Sequence, residues 1–443
     1  MYGPPARSEL ARGLAGAFLA GAWNERALVR RAGSALEQRP AWLLPVARAV
    51  LAAYAHPPAD RPRELAAFID ATIQALPPDP RHPSPPRIRR WLIPEPAMGR
   101  VRWPVPHLAA AGDLAALLEI SPGELEWLAD ARGLERTVHD ERLRNYRYGA
   151  LPRRNGSLRV VERPKTRLKA IQRRLLHELL DRVPAHPAAH GFTRGRSART
   201  HAAAHVGRRV VLRMDLEDFF ASIQAGRIYG IFRTCGYPEA VAHALTALTT
   251  NVVPAREWAA LPRPRGEMEA ITAHHRLGRR LATAHLPQGA PTSPALANLA
   301  TFRLDRRLTG LAGSLGAVYT RYADDLTFSG SRTLLGAARG WIAKIAREEG
   351  FVVNDAKTAV MTRAGRQRVC GIVVNERTNV ARDEHDVLKA IIHNAARNGP
   401  AAENRAGVAD FRAHLLGRIA WVESLNPGRG AKLRRGFEAI DWE

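Results

Sequence analysis

Cysteine is almost missing from this chain of 443 residues, which has only Cys235 and Cys370. Two thiols build neither a disulfide framework nor a thiolate metal cage, and they fit a reducing compartment. Long apolar runs are missing too. The uncharged stretch Leu14 to Trp23 follows Arg7 and Arg12 as the core of a signal peptide would, but Asn24-Glu25-Arg26 and a further helical pattern come directly after it. Nothing approaches the length of a membrane span, so the expectation is a soluble, cytoplasmic protein with no membrane partner. Acidic residues are scarce, 42 against 67 Lys and Arg, which leaves a net charge of +25 spread through most segments. Such a chain either has a polyanion partner, with nucleic acid first because counterion release drives that binding, or reflects a genome rich in Arg and Ala codons.

What is present is enough apolar sequence, 46% of residues, to bury real cores, and enough length for two or three domains. Residues 1–76 show apolar positions at helical spacing (Leu28, Leu36, Val46, Val50, Leu65, Ile69) and read as a small helical module. Residues 77–106 hold ten prolines and read as a stiff linker that Trp91 and Trp103 pack onto a neighbour. Residues 107–208 read as a helical lead-in and a strand region. There Ser121-Pro122-Gly123-Glu124 is a capping box, Asn155-Gly156 turns a hairpin between residues 144–148 and 158–162, and Lys165 to Leu180 is a basic amphipathic helix. Residues 209–380 carry further strands and a basic, poorly patterned insertion at 254–282, whose His274-His275 pair lacks a third ligand at a recognised spacing. Residues 381–443 are helical and basic.

One stretch organises the rest. Ala317 to Arg321 and Leu326 to Ser329 are β-branched and aromatic, and Tyr322-Ala323-Asp324-Asp325 lies between them, which reads as strand, tight turn, strand. Adjacent carboxylates at a hairpin tip repel each other, and a divalent cation reverses that cost. Val210 to Met214 reads as a buried strand that delivers Asp215, a third carboxylate, at its end. Three carboxylates on neighbouring strand ends suit two Mg²⁺ ions in a phosphoryl-transfer site. Leu286 to Pro294 reads as a small-residue loop ahead of a helix, with Gln288 and Gly289 placed to meet a phosphate or a base. Asn354 to Thr358 reads as a turn after strand Phe351-Val352-Val353. Its Lys357 is either a proton donor to a pyrophosphate leaving group or a solvated turn lysine. The loop Gly191 to Ser197, with Arg194 and Arg196, reads as a phosphate contact.

In that order, the Asp215 strand followed by Phe219-Phe220, the Leu286 to Pro294 loop, the Tyr-Ala-Asp-Asp hairpin and the Asn354 to Lys357 segment resemble a reverse transcriptase over about residues 140–443. The wording of the Leu286 to Leu299 stretch is similar to bacterial retron reverse transcriptases. Their Asn-Ala-x-x-His and Val-Thr-Gly motifs appear here as His201-Ala202-Ala203-Ala204-His205 and Val369-Cys370-Gly371, each departing at one position. The resemblance implies an α+β right-hand polymerase with fingers, a palm with an antiparallel sheet, an α-helical thumb and an α-helical N-terminal extension. It implies Asp215, Asp324 and Asp325 as catalytic metal ligands for two Mg²⁺, with Mn²⁺ as an alternative, and Lys357 near the leaving group. Arg159 would hold the deoxynucleoside triphosphate, Phe220 would reject a ribose 2′-hydroxyl, and Gln288 and Gly289 would pack on the incoming nucleotide. His205, Arg194, Arg196, Val369 and Gly371 would bind RNA. The implied partners are a structured non-coding RNA serving as template and primer, its branched RNA-linked DNA product (msDNA), and an effector protein in antiphage defence. A reverse transcriptase of abortive-infection, diversity-generating or intron type, or a catalytically silent RNA-binding scaffold, are the alternatives.

Overall fold

The structure, a computed structural model, describes residues 4–77, 86–152, 158–264 and 268–442. These form two compact units, Met1–Val183 with Ile223–Ser293, and Pro184–Ser222 with Pro294–Glu443. In the first unit come helices α1 (Pro4–Leu19), α2 (Glu25–Leu36), α3 (Leu43–Ala53), α4 (Pro62–Ala75), α5 (Ala111–Leu118), α6 (Pro122–Leu128) and α7 (Leu134–Thr137). They are followed by strands β1 (Tyr146–Pro152) and β2 (Leu158–Pro164) and by helix α8 (Thr166–Glu178). The second unit then takes α9 (Ala198–Ala203), β3 (Val210–Leu216) and α10 (Phe219–Ser222). The first unit is completed by α11 (Ala225–Thr234), α12 (Glu239–Thr249), α13 (Ala255–Ala259) and α14 (Met268–Leu281). The rest runs α15 (Ser293–Ala300), α16 (Phe302–Ser314), β4 (Val318–Tyr322), β5 (Asp325–Gly330), α17 (Arg332–Glu348), β6 (Val353–Thr362), β7 (Arg368–Val369), β8 (Ile372–Val373), α18 (Arg382–Asn398), α19 (Pro400–Glu403), α20 (Phe411–Leu425) and α21 (Pro427–Glu438).

Helices α1 to α4 pack around Leu14, Phe18, Leu28, Val46 and Leu65, so Leu14 to Leu19 of the uncharged stretch is core helix and Ala20 to Trp23 is the connection after it. Asn24 caps α2 by accepting from the Ala27 amide, and Pro62 starts α4, where a missing N–H costs nothing. The module is tied to α11 and α12 by Arg233 paired with Asp60 at 2.8 Å and by Glu239 accepting from the Arg63 amide at 2.8 Å. At α6 half of the capping box forms: the Ser121 hydroxyl accepts from the Glu124 amide, while the Glu124 carboxylate reaches Arg167 instead. The β1–β2 hairpin is antiparallel, and the Asn155-Gly156 turn lies outside the described residues, as do Pro78, Pro80, Pro83 and Pro85. Residues 254–282, which read as poorly patterned, contain α14. It buries Leu277 and Leu281, and its His274 stacks on Trp258 with ring centroids 4.3 Å apart.

In the second unit a four-stranded antiparallel sheet has the order β4-β5-β3-β6. Strand β3 is central and mostly apolar, as a strand with neighbours on both edges should be. The C-terminal helices α18, α20 and α21 close over a core of Leu388, Ile392, Leu415, Ile419 and Phe437 that also takes Val369 and Ile372 from the β7–β8 hairpin.

Candidate active site

Register brings the acidic residues together. Strands β4 and β5 pair with Tyr322 opposite Asp325, so Ala323 and Asp324 make a two-residue turn, and Ala323 takes a left-handed φ of 56°. On the other side of β5, Asp325 lies directly opposite Asp215 of β3. The Asp324 carbonyl accepts from the Leu216 amide at 3.0 Å, which pins the turn to the end of β3. Burial, with the Asp324 and Asp215 carboxylates adding to it, pushes the Asp325 carboxyl up to about 6.

Lys357 joins this group by a route other than the expected one. Asn354 to Thr358 is not a turn after a strand but an irregularity inside one long strand. Between Asp215↔Asn354 and Arg213↔Ala359, β6 spends four residues against one on β3. The Thr358 hydroxyl donates to the Asn354 carbonyl across this bulge, and the Lys357 ammonium donates to Asp215 Oδ1 at 2.8 Å. The bulge therefore aims a cation at the acidic cluster.

Two groups that sequence reasoning missed hold the hairpin. Arg321 is completely buried and donates to both oxygens of the buried Asp305 (2.8 and 2.7 Å) and to the Ala323 carbonyl at 3.0 Å. The Tyr319 hydroxyl donates to the same Asp305 at 2.8 Å. Beside the hairpin, residues 188–190 pair with the outer edge of β4, and a Cβ on Gly191 would lie 2.7 Å from the Ala323 nitrogen. The Gly191 carbonyl accepts from the buried Asn298 amide at 2.9 Å. Phe192 then takes φ 58°, unusual for a bulky side chain, and its exposed ring faces Phe220 and Tyr322 at centroid distances of 6.5 and 6.3 Å. Replacing Gly191 by alanine is expected to displace the turn and lower single-turnover incorporation about 100-fold, the scale of effect of misplacing reacting groups by about 1 Å.

Beneath β4 and β5 sits a histidine–hydroxyl network. His201 reaches the Thr320 and Thr327 hydroxyls at 2.7 and 3.2 Å, and His205 reaches Ser329 and Thr320 at 2.7 and 2.8 Å. Burial pushes the two imidazoles down to about 2 and about 3, so both are neutral. This corrects the expectation that His205 and Val369 meet RNA. His205 is enclosed by the hydroxyls of β4 and β5, and Val369 is a core residue of the C-terminal helices. Arg194, Arg196 and Gly371 are exposed, and the Arg196 guanidinium donates to His190 at 2.9 Å.

Arg159, Gln288 and Gly289 belong to the first unit. The Gln288 carbonyl accepts from the Glu162 amide at 2.9 Å, and Gly289 (φ 135°) packs so closely on β2 that a Cβ would sit 2.7 Å from the Glu162 carbonyl oxygen. Glu162 is itself locked. Its buried carboxylate meets His285 at 2.9 Å and Asn251 at 2.8 Å, an arrangement that raises the His285 pKa against the opposing effect of burial. The other face of β2 presents Arg159 and Arg163, both exposed, with Arg147 of β1 opposite Arg163. The loop and the arginine hairpin are thus one assembly.

Carboxylate oxygens are hard ligands of the kind Mg²⁺ and Mn²⁺ take, and an Asp325 carboxyl pushed up to about 6 by burial, and further by Asp324 and Asp215, is one whose ionised form a cation would favour. Among the described residues no three His, Cys, Asp or Glu side chains, Asp215, Asp324 and Asp325 included, are gathered closely enough to hold a metal ion as they stand. The Lys357 ammonium neutralises Asp215 in this arrangement. The donor set fits a divalent cation in ligand type and electrostatics.

Comparison with known proteins agrees with this geometry. The model of the reverse transcriptase (RNA-dependent DNA polymerase) family matches residues 151–388. The chain is similar to the retron Mx65 reverse transcriptase of Myxococcus xanthus, at 43% identity over 78% of this chain and 75% of that one. It is also similar to the retron Mx162 reverse transcriptase of the same organism (36%; 73% and 65%) and to the retron Ec86 reverse transcriptase of Escherichia coli (34%; 53% and 65%). A telomerase structure from Candida albicans shares only a TM-score of 0.35 and 12% identity, over 67% of this chain and 56% of that one, and carries no argument. The antiparallel sheet with its flanking helices is of the right-hand polymerase class, and no helix among the described residues is long and apolar enough to cross a membrane. The chain belongs to the reverse transcriptase family, as an RNA-directed DNA polymerase of the retron type.

Proposed function

We propose that this polymerase copies a structured non-coding RNA, which serves as both template and primer, into a short DNA that stays joined to the RNA through a branched 2′ linkage. The observation that carries the reading is the cross-strand pair Asp215–Asp325, with Asp324 in the adjoining turn and Lys357 at 2.8 Å from Asp215. Asp215, Asp324 and Asp325 would hold two Mg²⁺, with Mn²⁺ able to replace them. When bound, the ions lower the cost of charge developing on the attacking and leaving oxygens. A 3′ or branched 2′ hydroxyl of the primer attacks the α-phosphorus of a deoxynucleoside triphosphate, its proton passes to solvent, and the bond to pyrophosphate breaks. Lys357 supplies a proton to that leaving group. Arg159 binds the triphosphate, Gln288 and Gly289 pack on the nucleotide, and the half-buried Phe220 ring excludes a 2′-hydroxyl. Arg194, Arg196 and Gly371 meet the RNA. An effector protein and a role in antiphage defence complete the reading.

The test is to produce the protein in cells together with the RNA encoded beside it and to analyse the nucleic acid that copurifies. A DNA that shifts in size on ribonuclease treatment and keeps a branched ribonucleotide is the expected result. Free DNA, or none, from a preparation that extends primed RNA in vitro would overturn the branched-product reading.

A further inference from the structure

Residues 86–106, the described part of the proline-rich segment beyond Pro77, form a strap seated on the N-terminal helices. The amides of Arg89 and Arg90 both donate to the Ala35 carbonyl, at 2.9 and 3.1 Å. Helix α1 makes room for it with two glycines one turn apart. Gly13 lies against the Ile88 side chain, and a Cβ on Gly16 would stand 2.5 Å from the Leu92 carbonyl oxygen. Further on, the Gly99 amide donates to the Gly236 carbonyl at 2.8 Å. The backbone is therefore held at several points. Ile88 packs against the helical core, while Arg87, Arg89, Trp91 and Ile93 are exposed.

This outward face is unusual for a surface. Trp91 is 50% and Ile93 87% exposed, and Val101 further along is 45% exposed. Around them Arg87, Arg89, Arg90, Arg100 and Arg102 are all exposed, and among the described residues none has a carboxylate partner. A merely solvated strap has no reason to present a bare indole and unpaired guanidinium groups on a fixed backbone. The exposed Trp91 indole, with Arg87, Arg89 and Arg90 beside it and Glu95 as the strap's one exposed carboxylate, suits a single strand, whose bases stack on an indole and whose phosphates pair with guanidinium groups. The strap also lies outside residues 151–388, which the family model matches.

We infer that the strap from Arg87 to Arg102 is a binding surface for single-stranded RNA, separate from the polymerase site. RNA is the polyanion chosen because this chain is an RNA-directed polymerase; the strap's own chemistry fits any unpaired strand.

The test uses the full-length protein and a fluorescent oligouridylate titrated at several salt concentrations, with an RNA duplex in parallel. In the triple variant Arg87→Gln, Arg89→Gln, Arg90→Gln the slope of log K against log salt is expected to fall by about 2, at about 0.7 per lost phosphate contact. Trp91→Ala alone is expected to weaken oligouridylate binding about tenfold while leaving the slope and duplex binding unchanged. All four side chains are exposed, so thermal midpoints should match the native protein's. Unchanged affinity and slope in both variants would overturn the proposal, and so would equal losses on duplex and single strand. Loss of a copurifying protein with oligouridylate binding intact would assign the strap to a protein partner and likewise overturn it. Extension of a short annealed primer, measured in the same preparations, reports on the polymerase site independently.

Discussion

Asp325→Asn is expected to abolish DNA synthesis, by about 1000-fold or more, and yet to leave the metal-free protein at least as stable as the native one. Loss of one carboxylate ligand removes several kcal/mol of charge stabilisation from the reacting centre, which is the scale of that rate change. The stability half follows from the carboxyl's position. Asp325 is half-buried, faces Asp215 across the sheet and adjoins Asp324, so its folded-state pKa is raised from 3.8 to about 6. A carboxyl whose pKa is raised on folding contributes stability at low pH, and that contribution is lost as pH rises through about 6. Without divalent ions, the native protein should therefore lose thermal stability relative to Asp325→Asn between about pH 3.5 and pH 7, most steeply from about 4 to 6. The gap should approach 2–3 kcal/mol, from about two pH units at 1.36 kcal/mol each. Added Mg²⁺ should close the gap by stabilising the native protein alone. Melting curves of the two proteins across that range, with and without Mg²⁺, check both signs.

Asp305→Ala is expected to be the most destabilising single change near the hairpin, by about 3–5 kcal/mol. It strands the Arg321 guanidinium in a site with no access to water, and it also removes the acceptor of Tyr319. Breaking one side of such a pair costs far more than replacing both sides. The double variant Asp305→Leu, Arg321→Met should recover most of the denaturation midpoint in urea. Activity should not follow, because Arg321 also holds the Ala323 carbonyl at the turn that carries Asp324. A stable but slow double variant would identify the pair as a positioning device for the hairpin. Full recovery of both properties would reduce it to core packing.

Which parts of this site could be read from the sequence follows from how local their signals are. The Tyr-Ala-Asp-Asp hairpin was legible because strand texture, a two-residue turn and paired carboxylates lie within a dozen residues, and Asp215 was legible as the end of an apolar strand. The assignment to reverse transcriptases of the retron type likewise followed from ordered motifs. Lys357 was found, but its placement was misread. A bulge inside β6 and a turn after a shorter strand have the same local composition, and only the register against β3 separates them. His205 was assigned to RNA from its motif, and a motif does not say which way an imidazole faces. The hydroxyls that enclose it come from residues more than a hundred positions away. Arg321 and Asp305 were invisible because an arginine in a strand and an aspartate in a helix look solvent-facing until the fold buries them together. Where the strap would be seated was not legible, because proline density signals only a stiff backbone, while the glycines that seat it lie on α1.

The measurement that tests the account most directly is deoxynucleotide incorporation on a primed RNA template with Mg²⁺, by the native and Asp325→Asn proteins side by side. Synthesis by the native protein that is lost in the variant, with the variant's melting temperature intact, is the predicted result. Equal incorporation by both proteins, or none by either on a range of primed RNAs, would contradict the assignment of Asp215, Asp324 and Asp325 as the catalytic centre.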